Sequence, residues 1–200
     1  MKKKVLTGMA LGLALTAAAP MSVMAGEGTA NVAVVSDYVW RGVTQTNNGA
    51  ALQGGYDYDF GNDFSAGVWA SNVADGLEYD LYGSYAGTAG DMGYSLGFIY
   101  YGFTDAANTA GTETVVGVSY KDVSLDYYIG DGTDYMDLNY GTEVGGMDLG
   151  VNYGSTTGYT TYGVSVGKDV SGVGVGLTFA SATAATVTTT AFALSVSKEF

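Results

Sequence analysis

The sequence contains no cysteine, no histidine and only one proline. Without cysteine the chain is neither a disulfide scaffold nor a lipoprotein anchored through an N-terminal cysteine. Without histidine it has no Ser-His-Asp triad and no imidazole ligand for a metal ion. The proline, Pro20, lies near the N-terminus. No proline therefore interrupts a backbone hydrogen-bond ladder in the rest of the chain.

Basic residues are also scarce, with 7 Lys and Arg against 20 Asp and Glu. Because nucleic-acid binding requires a basic patch for the phosphates, we predict no nucleic-acid partner. An excess of acid can indicate disorder, but disordered chains are poor in aromatic residues, and this chain has 17 Tyr, 7 Phe and 2 Trp. The composition therefore predicts a folded, acidic protein.

The N-terminus has the pattern of a secretory signal peptide. Lys2, Lys3 and Lys4 precede an apolar run over 5–19, and small residues surround Ala25. The run is shorter than the roughly 20 residues that span a bilayer, which favours a cleaved signal over an anchor. We predict a signal peptide at 1–25 and a single domain at 26–200.

After position 25 apolar and polar residues alternate with a period of two, and clusters of Gly, Asp, Asn and Ser separate the segments. No sustained run of 18 apolar residues occurs there. The pattern predicts an all-β fold, an antiparallel up-and-down transmembrane β-barrel of about twelve strands, although ten or fourteen would also fit. The predicted strands are 29–41, 50–60, 64–73, 77–87, 92–103, 113–121, 123–130, 134–143, 147–154, 159–168, 172–181 and 187–200.

Tyrosine is concentrated on the aliphatic face of these strands, often near strand ends. In a membrane barrel such residues form aromatic belts that contact acyl chains and headgroups, so we expect outer-membrane lipids around this face. A secreted acidic β-sandwich or solenoid is the alternative, because alternation alone does not distinguish them. The tyrosines predicted to face outward include Tyr38, Tyr58, Tyr100, Tyr120, Tyr127, Tyr140, Tyr153 and Tyr162.

The opposite face carries glycine, small polar residues and most of the acids, which suits a hydrated lumen. In the first predicted strand Tyr38 and Trp40 face outward, and Arg41 faces inward, where it avoids the cost of an arginine in hydrocarbon. Arg41 either sets a transverse field across a pore or relieves repulsion among the acids and locks the barrel. The predicted pore-lining residues are Asp37, Arg41, Gln53, Asp57, Asp59, Glu78, Asp80, Asp126, Asp137 and Asp148.

The C-terminal segment ends in Phe200, and the alternate positions Val196, Leu194 and Phe192 share its face. A terminal aromatic residue on an amphipathic strand resembles the signal that Gram-negative outer-membrane barrels present to the assembly machinery, although Lys198 interrupts the apolar face. If both termini are periplasmic, the longer connections 42–49 and 104–112 are extracellular, whereas 61–63 and 121–122 are short periplasmic turns.

The segment SDYVWRGVTQT at 36–46, followed by ALQGG at 51–55 and GVWASNV at 67–73, resembles the opening block of the TorF family of porins. EYDLYG at 78–83 also fits, and beyond residue 85 the resemblance is one of pattern only. The resemblance implies a small proteobacterial outer-membrane β-barrel with a pore role, and it supplies no catalytic residues.

We therefore predict a passive channel for small polar solutes or ions in the Gram-negative outer membrane. The lumen acids favour cations and repel anions. A non-conducting structural or adhesive barrel is the alternative. An outer-membrane enzyme is the third hypothesis; Asp57 and Asp59, or Glu78 and Asp80, would be its paired carboxylates, but a solvated lumen wall explains such pairs better. We expect no enzyme activity, catalytic residue, cofactor or metal site, and GDGTD at 130–134 lacks the ligand set of a calcium loop.

Overall fold

A computed structural model describes residues 26–106, 108–130 and 132–200 of the chain. The predicted signal peptide at 1–25 and Asp131 of the GDGTD segment lie outside the described residues. No helix within the described part is long and apolar enough to cross a membrane.

Twelve antiparallel strands form a closed barrel, which confirms the predicted fold class. Each long strand pairs with its neighbours in the chain, and the first barrel strand closes the barrel by pairing with both the second and the last barrel strand. A closed barrel leaves no unpaired strand edge, as a membrane requires. The barrel strands are β1 (Glu27–Val35), β4 (Ala51–Asp59), β5 (Phe64–Val73), β6 (Gly76–Ala89), β7 (Met92–Phe103), β8 (Gly111–Tyr120), β9 (Val123–Gly130), β10 (Tyr135–Val144), β11 (Met147–Thr156), β12 (Tyr159–Asp169), β13 (Gly174–Ala184) and β14 (Val187–Glu199).

The outer surface of the barrel is almost entirely apolar. Leu52 is 62% exposed and Phe192 is 65% exposed, and each strand adds further exposed Val, Leu, Phe or Tyr side chains. A monomeric soluble protein rarely exposes a continuous apolar surface of this extent. Aromatic pairs lie near both ends, such as Phe64–Tyr85 at one and Tyr153–Tyr162 at the other. The sequence pattern thus places many aromatic rings toward the rims of the wall.

The two ends of the barrel differ in their connections. At the terminal end, where β1 begins and β14 ends, the connections are short: 60–63, 90–91, 121–122, 145–146 and 170–173. The opposite end, which we call the loop end, carries the longer connections 36–50 and 104–110, besides the short connections 74–75, 131–134, 157–158 and 185–186. This asymmetry is the one typical of outer-membrane barrels with periplasmic termini.

The prediction for the first strand is wrong beyond residue 35. Strand β1 ends at Val35 instead of continuing to Arg41, and the chain then turns into the barrel. Tyr38 and Trp40, which we predicted to face lipid, therefore lie inside: Tyr38 is buried and Trp40 packs against other rings of the lumen. The alternation of apolar residues extends past Val35 because the rings of Tyr38 and Trp40 pack on an apolar surface inside the barrel.

The segment 36–50, which we call the inward loop, contains a small β-hairpin. Strands β2 (Val39–Trp40) and β3 (Val43–Thr44) pair antiparallel, and Arg41 and Gly42 form the two-residue turn between them. Both turn residues have positive φ, 46° and 78° respectively. Positive φ at both central positions is the type I′ geometry that suits a tight hairpin. Arginine rarely adopts this conformation, so the contacts of its side chain compensate for local strain.

Candidate functional site

The base of the inward loop is fixed by hydrogen bonds around a buried acid. The Asp37 carboxylate accepts hydrogen bonds from the hydroxyls of Thr44 and Thr46 at 2.5 and 2.9 Å. The Thr46 oxygen in turn accepts the backbone N–H of Tyr38 at 3.0 Å. The backbone N–H of Gln45 donates to the Tyr38 carbonyl at 2.7 Å. Asp37 thus joins the two arms of the loop rather than facing an open pore.

Apolar contacts hold the sides of the loop against the barrel wall. Tyr38 packs with Val35, Ala51 and Val73, and its ring meets Trp69 edge-on at 5.4 Å. Burial, and then the nearby carboxylate of Glu78, raise the pKa of Tyr38, so its hydroxyl stays protonated.

On another side of the lumen, Val39 is buried against Ala180 of β13 and Ala191 of β14. Gly42 lies so close to β13 that a Cβ atom added there would be 2.7 Å from the Ser181 carbonyl oxygen. Small residues on β13 and β14 therefore make room for the hairpin.

At its tip the hairpin reaches across the lumen to an acid on β8. Arg41 donates from Nη1 to Glu113 Oε1 and from Nη2 to Glu113 Oε2, both at 2.8 Å. The Tyr101 hydroxyl donates to Glu113 Oε2, also at 2.8 Å. The side chains of Arg41 and Glu113 are only 11% and 9% exposed. This is a nearly buried bidentate ion pair, the strongest geometry available to arginine.

Three aromatic rings surround the same guanidinium. The Arg41 Cζ atom lies 4.3 Å from the ring centroid of Trp40, 4.7 Å from that of Tyr128 and 4.1 Å from that of Tyr135. Such distances fall within the range of cation–π attraction. Burial alone would lower the pKa of Arg41, but the hydrogen bonds and charge of Glu113 outweigh it and the pKa is raised. Arg41 stays charged, and we call this arrangement the arginine latch.

The hairpin and the wall together exclude solvent from one section of the lumen. Ile99 and Ser71 are 0% exposed, and Asp80 is 1% exposed. Toward the terminal end many inward residues are small and partly exposed, and we call this part of the lumen the vestibule. Solvent therefore reaches the vestibule more readily than the section around the hairpin. Residues that line the vestibule include Ser95, Ser119, Ser124, Gly150, Ser165 and Ser195.

The predicted pore-lining residues occupy three kinds of position. Asp37 and Arg41 belong to the inward loop; Asp59 and Asp148 lie near the terminal end, where Asp59 also caps the turn through the Gly61 N–H. The others lie on inward positions of the wall. There Asp126 and Asp137 are direct partners on β9 and β10. The wall positions are Gln53, Asp57, Glu78, Asp80, Asp126 and Asp137.

Several lumen acids have identifiable polar neighbours. Asp57 accepts a hydrogen bond from the Tyr82 hydroxyl at 2.6 Å, and Asp137 accepts one from the Asn152 amide at 3.1 Å. One carboxylate oxygen each of Asp80 and Asp126 is buried without a hydrogen-bond partner. A buried carboxylate oxygen without a partner is energetically costly.

Sequence reasoning missed Glu113, the acid that Arg41 pairs with. Glu113 begins the predicted strand 113–121 and has the inward parity, opposite to Val116 and Val118, so parity could have found it. Sequence reasoning also missed the hairpin. Two short segments of β-branched and aromatic residues flank the pair Arg41-Gly42, which is the spacing of a two-residue hairpin.

Within residues 26–106, 108–130 and 132–200 no group of three or more acids could hold a metal ion. In the GDGTD segment, the Asp134 carboxylate accepts a hydrogen bond from the Tyr127 hydroxyl at 2.8 Å.

The architecture is a closed antiparallel β-barrel of twelve strands. It superposes on the KdgM porin with a TM-score of 0.65 at 12% identity, covering 86% of this chain and 99% of that one. It also superposes on a chain solved under the heading "Unveiling the Mechanism Behind the in-meso Crystallization of Membrane Proteins", with a TM-score of 0.62 at 10% identity and coverage of 86% and 83%. At these identities the likeness concerns the fold.

The chain belongs to a family described as "Bacterial protein of unknown function (Gcw_chp)", whose profile matches residues 16–179. No curated protein matches the sequence. The resemblance to the TorF family stays a prediction.

Proposed function

We propose that this protein is a channel of the Gram-negative outer membrane that passes small polar solutes or ions and prefers cations. The observation that carries the proposal is a closed barrel with an apolar exterior and an acid-lined lumen. Twelve strands lie between the eight that side chains fill and the sixteen or more that leave an open channel. The interior can therefore be closed by a loop and opened by moving it.

The preference for cations follows from the distribution of charge. Of the basic residues after position 25, Arg41 alone lies in the lumen, and Glu113 neutralises it. Lys121 and Lys198 lie beside Tyr120 and Phe200 near the terminal end of the outer wall. In the described part of the chain the other inward acids form no ion pair, and a ring of carboxylates lowers the energy of a cation relative to an anion.

The inward loop sets the resting state of this channel. Since the band around the hairpin is buried, the protein is expected to conduct only in brief openings from a closed baseline. Displacement of the hairpin toward the loop end would join the vestibule to the opposite side. Small inward residues, among them Ala180, Ala182 and Ala191, would then leave a continuous path.

Conductance of refolded protein in planar bilayers tests the proposal. We expect single-channel openings, and a reversal potential in a potassium chloride gradient that indicates cation preference. In the double variant Asp126→Asn/Asp137→Asn this preference should fall, whereas Asp75→Asn, in an exposed turn, should leave it unchanged. Anion preference of the unmodified channel would refute the assignment of charge.

A non-conducting structural barrel is the second candidate, and the buried band around the hairpin favours it. The two candidates differ in a variant from which residues 39–44 are replaced by a short glycine-serine linker. A channel should conduct continuously once the hairpin is gone. A barrel that folds and inserts, yet shows no steps in repeated trials, would support the structural role.

The proposed location in the outer membrane can be tested separately. We expect Phe200 to present the chain to the outer-membrane assembly machinery, and outer-membrane lipids to surround the apolar belt. Removal of Phe200 should reduce the heat-modifiable, folded form in the outer-membrane fraction. Recovery of the unmodified protein as a soluble monomer without detergent would contradict the assignment.

A further inference from the structure

The wall half of the arginine latch is held together without the hairpin. Glu113 is oriented by the hydroxyl of Tyr101 at 2.8 Å. The Tyr135 hydroxyl is 2.8 Å from Thr161 Oγ1, with which it shares a hydrogen bond. Tyr128 packs against Tyr135 with ring centroids 5.9 Å apart. All these contacts lie within the wall, so this half of the latch persists when the hairpin leaves.

We propose that Glu113, Tyr128 and Tyr135 form a binding site for solutes that carry a guanidinium group, and that Arg41 occupies this site in the resting barrel. The carboxylate offers two parallel acceptors, and the two rings offer π-faces to a flat cation. A guanidinium fits both features through its planar fork and its delocalised charge. A primary ammonium is a point charge that cannot form the two parallel bonds at once.

The structure also leaves space beside the site. A cavity of about 40 Å³ adjoins Arg41 and is lined on its polar side by Asp137 and Asn152. A space of this size holds a water molecule but not a second organic cation. A solute must therefore replace the Arg41 side chain, and binding of the solute releases the hairpin. The release as a gating step rests on the proposed channel function, whereas the binding does not.

The Arg41→Ala variant leaves the proposed guanidinium site vacant, so binding to the site can be measured directly. Methylguanidinium at millimolar concentration should bind this variant saturably. Tryptophan fluorescence measures the binding, because Trp40 borders the site. Methylammonium at equal ionic strength should bind at least about tenfold more weakly, because it lacks one charge-assisted hydrogen bond. The added variant Glu113→Gln should abolish the difference. Equal binding of the two cations by Arg41→Ala would overturn the proposal.

A second measurement keeps Arg41 in place and does not depend on the folding of Arg41→Ala. The chain has no natural cysteine, so Val39→Cys is a unique, buried probe of the hairpin. If methylguanidinium competes with Arg41, the labelling rate by a maleimide should rise about tenfold at ten times the dissociation constant. Methylammonium should have little effect. Labelling that both cations leave unchanged would overturn the proposal.

Conductance separates the two proposals. If binding and labelling behave as expected but neither methylguanidinium nor loss of the hairpin produces channel openings, the site stands and the channel function fails. If the channel opens on removal of the hairpin but methylguanidinium neither binds Arg41→Ala nor exposes Val39→Cys, the channel function stands and the site fails.

Discussion

A double-mutant cycle on Arg41 and Glu113 measures how much the arginine latch contributes to the free energy of unfolding. The single variants Arg41→Met and Glu113→Gln each leave one member of a nearly buried pair without its partner, and the double variant leaves neither charge. Loss of one partner of a buried ion pair costs about 3–5 kcal/mol. The double variant should cost less than the sum of the two, because no buried charge remains unpaired.

The expected coupling follows from the geometry. Two charge-assisted hydrogen bonds at 2.8 Å join the pair. Each is worth about 1.5–3 kcal/mol, and the residual exposure of the pair allows water to compensate in part. We therefore expect a coupling energy of about 2–4 kcal/mol from the double-mutant cycle.

The assay is reversible urea unfolding of the folded barrel in lipid vesicles, followed by tryptophan fluorescence. Trp40 belongs to the inward loop and Trp69 contacts it through Tyr38, so the signal reports on this loop. The exposed hydrogen bond between Tyr127 and Asp134 provides a control cycle, for which we expect less than about 1 kcal/mol. A coupling for Arg41 and Glu113 no larger than the control would refute the latch.

Three further predictions concern the wall and the base of the loop. A Cβ atom at Gly154 would collide with the Tyr135 hydroxyl, so Gly154→Val should displace this ring and increase cysteine labelling of the hairpin. Thr46→Val removes the hydroxyl that donates to Asp37, which should cost about 1–3 kcal/mol in urea unfolding and also expose the hairpin. Leu96→Arg places a charge on the exposed outer wall and should cost about 2–4 kcal/mol in vesicles, but much less in short-chain detergent, where the arginine reaches water.

The barrel wall could be predicted from the sequence because its two faces meet different solvents. Strict alternation in Leu52 to Phe60, or Val173 to Phe179, requires one apolar and one polar environment, and short turn clusters separate the strands. Inward and outward parity is then fixed along each strand. The inward positions of Asp57, Glu78 and Asp126 follow from this rule alone.

The inward loop could not be predicted in the same way because its environment is created by the fold. Tyr38 and Trp40 continue the apolar parity of β1, and nothing local distinguishes lipid from an aromatic-lined lumen. The partner of Arg41 is 72 positions away along the chain. Glu113 and Arg41 are brought together by the closed barrel, so spacing in the sequence carries no sign of the pair.

The most direct test of the account is whether the position of the hairpin decides conduction. In an Arg41→Ala background, Val39→Cys and Ala180→Cys would join two side chains that are in contact, in a chain with no other cysteine. We predict that the oxidised barrel stays at the closed baseline and that a reductant produces cation-selective openings in the same membrane. Equal conductance of the oxidised and reduced forms would contradict the claim that the hairpin closes the lumen.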